Sequence, residues 1–131
     1  MTIKDFTEYL KTISKFTKYY VNVIDENKQN VLGVYNSKSK LKRNTRFKAL
    51  HKTKDFSLLV HATKNSVESE KIAQNLYDAL YNANRVQSLG IDYIQLLYDE
   101  PVYIGQSSNG IFEYVIDVTI YYKNDNKGVT E

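Results

Sequence analysis

Two histidines, His51 and His61, are the side chains in this sequence able to act as a base near neutral pH or to offer an imidazole to a metal. His51 lies among cations that disfavour its charged form, and His61 falls near the end of an apolar run beside Ala62. Neither belongs to an H-x-x-x-H or H-E-x-x-H pattern, and no acidic cluster has the spacing of a calcium loop. Both histidines therefore read as packing or surface residues. The carboxylate pairs Asp25-Glu26 and Asp99-Glu100 adjoin polar, turn-forming segments, where exposed acids are common. The five glycines are scattered, and none opens a helix directly after a strand, as a phosphate cradle requires. Ser57, Ser66 and Ser69 lack a nucleophile-elbow context. With no cysteine, thiolate chemistry, disulfides and thiolate metal sites are excluded. The reading is a chain with no catalytic, metal-binding or cofactor-binding residues, and hence no enzyme.

One charged constellation stands out. Residues 36–54 contain Lys38, Lys40, Lys42, Arg43, Arg46, Lys48, Lys52 and Lys54 without a single acid. Like charges at this density repel in a compact element, so 36–54 is predicted to be an exposed basic loop. Lys38, Lys40, Lys42, Arg43, Arg46, Phe47 and Lys48 are its candidate partner-contact residues. The partner chemistry is either an acidic protein surface or nucleic-acid phosphate. Nucleic-acid binders usually add base-stacking rings or a groove-reading helix, and Phe47 is the segment's only ring. A protein partner is favoured, with nucleic-acid binding through residues 38–54 as the alternative. The chain as a whole is dipolar. Residues 1–55 hold 13 Lys/Arg against 5 Asp/Glu, residues 56–131 hold 5 against 10, and the formal net charge is only +3. Twelve tyrosines, no tryptophan and one proline complete the unusual features. Tyrosine's apolar ring and polar tip suit half-buried strands and subunit interfaces.

The elements that must carry these residues are legible from periodicity. Ile3, Phe6, Leu10 and Ile13 recur at helical spacing behind a possible Thr2 cap. Tyr19–Ile24 and Val31–Tyr35 are rich in β-branched and aromatic residues, and the polar Asp25–Asn30 between them reads as a hairpin loop. Phe56–Ala62 is a strand. A second helix starts at the Asn65 cap, with Glu68 placed for a capping box. Its stripe is Val67, Ile72, Leu76, Ala79, Leu80 and Ala83, and Gly90 is the stop. Ile91–Tyr98 and Val102–Gly105 are strands around the turn at Asp99–Pro101, and Asn109-Gly110 is a turn pair. From Ile111 to Tyr122, one face reads Phe112, Tyr114, Ile116, Val118, Ile120, Tyr122, while the other mixes charged and apolar residues. Residues 123–131 read as a frayed tail. The expectation is a single domain, residues 1–131. Its fold class is α+β, a two-layer sandwich with two helices on one face of a mostly antiparallel sheet of about five strands. The second sheet face is left to solvent or to another subunit.

At 131 residues, with 42% hydrophobic and 25% charged residues, the chain lies in the ordinary globular range. No apolar run approaches the roughly 20 residues of a membrane span, and Met1–Leu10 lacks a signal peptide's apolar core. The expectation is a cytoplasmic protein without a membrane partner.

Taken together, the strand FSLLVHATKN, the helix IAQNLYDAL with its A-x-x-L-Y pattern, EPVYIG, the Asn-Gly turn and IFEYVIDVTIYY resemble a known family. It is that of the minor capsid, tail-completion or tail-terminator proteins of long-tailed phages infecting Gram-positive bacteria. The likeness covers residues 56–122, and Val31–Tyr35 fits the family's early strand. The resemblance implies a structural virion protein, without catalysis or cofactor, that forms a ring of typically six copies at the head–tail joint. Its implied partners are copies of itself, the tail tube protein and head-connector proteins, with DNA passing through the ring without specific recognition. Its implied location is the virion, after assembly in the host cytoplasm. A dipolar chain fits such a ring, because head-to-tail contacts close when the rotation permits.

Overall fold

The computed structural model describes residues 1–38, 51–83 and 85–123. The elements are α1 (Ile3–Ile13), β1 (Lys18–Val21), β2 (Val31–Asn36), β3 (His51–His61), α2 (Ser66–Ala83), a 3₁₀ turn (Gln87–Leu89), β4 (Ile91–Leu96), β5 (Val102–Gln106) and β6 (Phe112–Lys123). Among the described residues the six strands form one mixed, mostly antiparallel sheet in the order β1-β2-β3-β6-β4, with β5 also on β6. β6 is its spine. One edge of β6 pairs with β3 from His51↔Lys123 to His61↔Glu113. Its other edge is shared, β4 taking the half around Val118–Tyr122 and β5 the half around Phe112–Val115. Both helices pack on one face, giving the two-layer α+β sandwich that the periodicity implies.

Local chemistry sets the helix starts. Thr2 accepts from the Asp5 amide at 3.1 Å while the Asp5 carboxylate accepts from the Thr2 amide at 2.9 Å, a reciprocal cap on α1. Asn65 Oδ1 accepts from the Glu68 amide at 2.9 Å and caps α2. The stripes then meet the even-numbered face of β3 and β6. Phe6 and Phe56 stack with centroids 5.0 Å apart, and Leu10, Leu58, Leu76, Leu80, Ile116 and Ile120 close the core around them. Tyr114 and Tyr122 pack against this core half-buried, as the alternation along β6 predicts.

Five local expectations are corrected. β1 and β2 are parallel (Lys18↔Val31, Val21↔Val34), so Asp25–Asn30 is no hairpin loop. Asn22, at φ 60°, turns the chain, which then crosses back along the sheet face opposite the helices. This crossover explains Gly33: a Cβ there would lie 3.3 Å from the Val23 carbonyl and 2.7 Å from the Tyr35 ring. Val67 sits on α2's solvent side, 64% exposed, and the buried stripe is Ser69, Ala73, Leu76 and Leu80. Gly90, at φ 71°, caps the 3₁₀ turn, whereas α2 ends at Ala83. Finally, β3 begins at His51, so His51–Lys54 is ladder rather than loop, because β6 extends far enough to pair with it. Lys123 likewise belongs to β6, and the rest of the tail, 124–131, lies outside the described residues.

Candidate interaction surfaces

Each residue type that could do chemistry is placed by these elements. His61 ends β3 on the sheet face away from the helices and is fully buried beneath the crossover. Its Nδ1 lies 2.8 Å from Glu113 Oε2, and its Nε2 lies 3.0 Å from the Glu26 carbonyl. Carboxylate and carbonyl are both acceptors, one facing each ring nitrogen. Asn109 Nδ2 donates to the same Glu26 carbonyl at 2.9 Å and to Asn27 Oδ1 at 3.0 Å. The histidine is a clasp joining β3, β6, the crossover and the 107–110 turn, with no free face for a substrate. Further along this face, Ser57 donates to Asp117 at 2.6 Å and Thr119 to Asp55 at 2.7 Å, so these hydroxyls and carboxylates are consumed across strands. Ser69, fully buried, bonds Thr63 and braces the entry to α2. Among the described residues no group of three or more His, Asp or Glu side chains is arranged to hold a metal ion. No described helix is long and apolar enough to cross a membrane.

Of the seven candidate contact residues of the basic segment, Lys38 is described and exposed just beyond β2. Lys40, Lys42, Arg43, Arg46, Phe47 and Lys48 lie outside the described residues. The segment's last two lysines, Lys52 and Lys54, sit on β3 opposite Tyr122 and Ile120.

The sheet's other side carries a surface that the sequence reading did not single out. β4 and β5 run along the same edge of β6, and between them Leu97–Pro101 bends outward. Leu97, Tyr98, Val102, Tyr103 and Ile104 are all exposed along this edge, Tyr98 at 56%. Two grooves flank Tyr98 and Asp99. One, of ≈ 700 Å³, runs to Glu70 on α2 and is walled by Glu100, Tyr103 and Tyr114. The other lies between α2 and β4 and is walled by Tyr77, Tyr81 and Tyr93. The Tyr77 hydroxyl donates to the Tyr98 carbonyl at 2.7 Å, fastening the bend to α2. Burial, with Asp99 and other acids adding to it, pushes the Tyr77 phenol above its usual range. Burial, reinforced by Glu70, does the same at Tyr114. The available signal was an absence: from Val86 to Tyr122 the sequence holds five acids and no Lys or Arg.

These features define a class. A small α+β sandwich spends its reactive side chains on its own strands and leaves an apolar, aromatic, charged edge uncovered, which is the surface of a protein that works by contacting other proteins. The chain belongs to the bacteriophage tail terminator protein family, whose model matches residues 4–124. It is a structural, non-catalytic component of the virion tail that acts on the tail tube. No curated protein matches the sequence.

Proposed function

We propose that this tail terminator works as one subunit of a closed ring of six copies, seated between the end of the tail tube and the head connector, in a phage of a Gram-positive host. Residues 1–131 act as one domain, a minor capsid component at the head–tail joint. The 36–54 segment makes the contacts through Lys38, Lys40, Lys42, Arg43, Arg46, Phe47 and Lys48. DNA passes through the ring without being read.

The observation that carries this reading is the separation of charge into two different segments of one chain. Lys and Arg concentrate in 36–54, while 86–122, which supplies β4, β5 and β6, holds acids and no Lys or Arg. Unlike patches on one subunit make head-to-tail contacts, and such contacts close into rings when the rotation permits. The test is light scattering and negative-stain microscopy of the protein alone and with purified tail tubes. Rings, free or on tube ends, are expected. A protein that remains monomeric in both conditions refutes the reading.

A further inference from the structure

The outward-bending β4–β5 edge is open in two senses. β4 and β5 each pair with β6 and with no other described strand, so their outer backbone groups face away from the sheet. The side chains there are apolar and more than a third exposed. Natural sheets blunt such edges or cover them. The charge on this one says what can cover it. Asp99 and Glu100 protrude between the exposed Tyr98 and Tyr103, with Glu70 across the groove. Two such edges brought together would set carboxylate against carboxylate, so a symmetric contact of the edge with itself is disfavoured. Its occupant must be cationic. Tyrosine faces beside carboxylates are the chemistry that receives Arg and Lys, through charge-assisted hydrogen bonds and cation–π contact.

A basic element of this kind is present at equal copy number wherever the protein assembles, because the chain carries it: residues 36–54, with eight Lys/Arg and no acid. We infer that the acidic tyrosine edge around Tyr98, Asp99, Glu100 and Tyr103 is the socket for the basic 36–54 segment of a second copy. This deepens the ring reading and rests on it. The contact is heterologous, and charge alone rejects both edge-to-edge and segment-to-segment pairing.

The experiment is a charge swap read by native mass spectrometry and by microscopy of tail tubes. Asp99→Lys/Glu100→Lys is expected to cut the ring population roughly tenfold or more, about 1.4 kcal/mol per decade. Lys42→Glu/Arg43→Glu/Arg46→Glu should do the same, and the five substitutions combined should restore rings. Asp99 and Glu100 are exposed, and unchanged thermal unfolding verifies that the edge variant folds. The chain has no cysteine, so Asn44→Cys in one tagged copy and Leu97→Cys in another report directly. A disulfide between the two copies is expected. Wild-type rings that tolerate both reversals overturn the socket and leave the ring standing. A chain carrying both cysteines that cross-links only within itself shows that the segment fills its own edge, which also overturns the socket. Failure of the wild type to form rings, alone or on tubes, removes the ring reading and the socket together.

Discussion

Replacing His61 with leucine tests whether the buried clasp holds the crossover to the sheet. The ring is fully buried, while the Glu113 side chain retains 17% of its exposure. Removing one partner of a buried hydrogen bond typically costs about 1–3 kcal/mol, and more when the group left behind is a carboxylate, which points to the upper end for the loss of His61. The substitution also strips the Glu26 carbonyl of one donor, leaving Asn109 to serve it. About 3 kcal/mol is therefore expected, a large part of the roughly 5–15 kcal/mol that holds a domain together. Glu113→Leu alone leaves Nδ1 without its acceptor inside the protein, at about 1–3 kcal/mol. The double variant His61→Leu/Glu113→Leu replaces the pair with apolar groups and is expected to lose clearly less than the two single losses combined, a coupling of about 2 kcal/mol. Urea unfolding by circular dichroism reads all three, with His61→Leu lowering the midpoint by about 1–3 M at ordinary slopes. If His61→Leu stays within about 0.5 kcal/mol of wild type, or the double loss equals the sum of the singles, the clasp is not what binds these segments.

Phe6→Ala removes the ring stacked on Phe56 in the centre of the core and is expected to cost about 3–5 kcal/mol, measured by thermal or urea unfolding. Thr2→Ala breaks the α1 cap and should cost about 1 kcal/mol in the same assay. The cap also carries a pH signature. The hydrogen bonds from Thr2, its backbone amide first, hold the Asp5 carboxyl below its ordinary value of 3.8. Its stabilisation is therefore full above that value and is lost as pH falls through the lowered one. The Asp5→Asn variant should lack this acid-limb loss in helix content.

Local order and one level above it were legible in the sequence. α1 begins at its Thr2 cap because the capping residues and the stripe Phe6, Leu10 are encoded within a few positions of each other. β6 shows its two faces because side chains alternate, and a face that meets helices must be apolar at each step. The charge segregation and the lack of a catalytic constellation follow from residue types alone, and the family likeness rests on the same strands and turns. What lay beyond local reading was partnership. Whether Val31–Asn36 pairs antiparallel or parallel with Lys18–Val21 depends on where the chain travels between them, and a short polar stretch serves a turn or a crossover equally well. That β3 starts at His51 depends on β6 reaching Lys123 to pair with it. His61 becomes a clasp because the Glu26 carbonyl and Glu113, 35 and 52 positions away, converge on its two nitrogens. The acidic tyrosine edge exists because β4 and β5 share one side of β6 and force Leu97–Pro101 outward. Periodicity and capping act over a few residues and are written in the order of side chains. Pairing, burial and the meeting of distant charges are decided by the free energy of the whole packed chain, and become definite only when it folds.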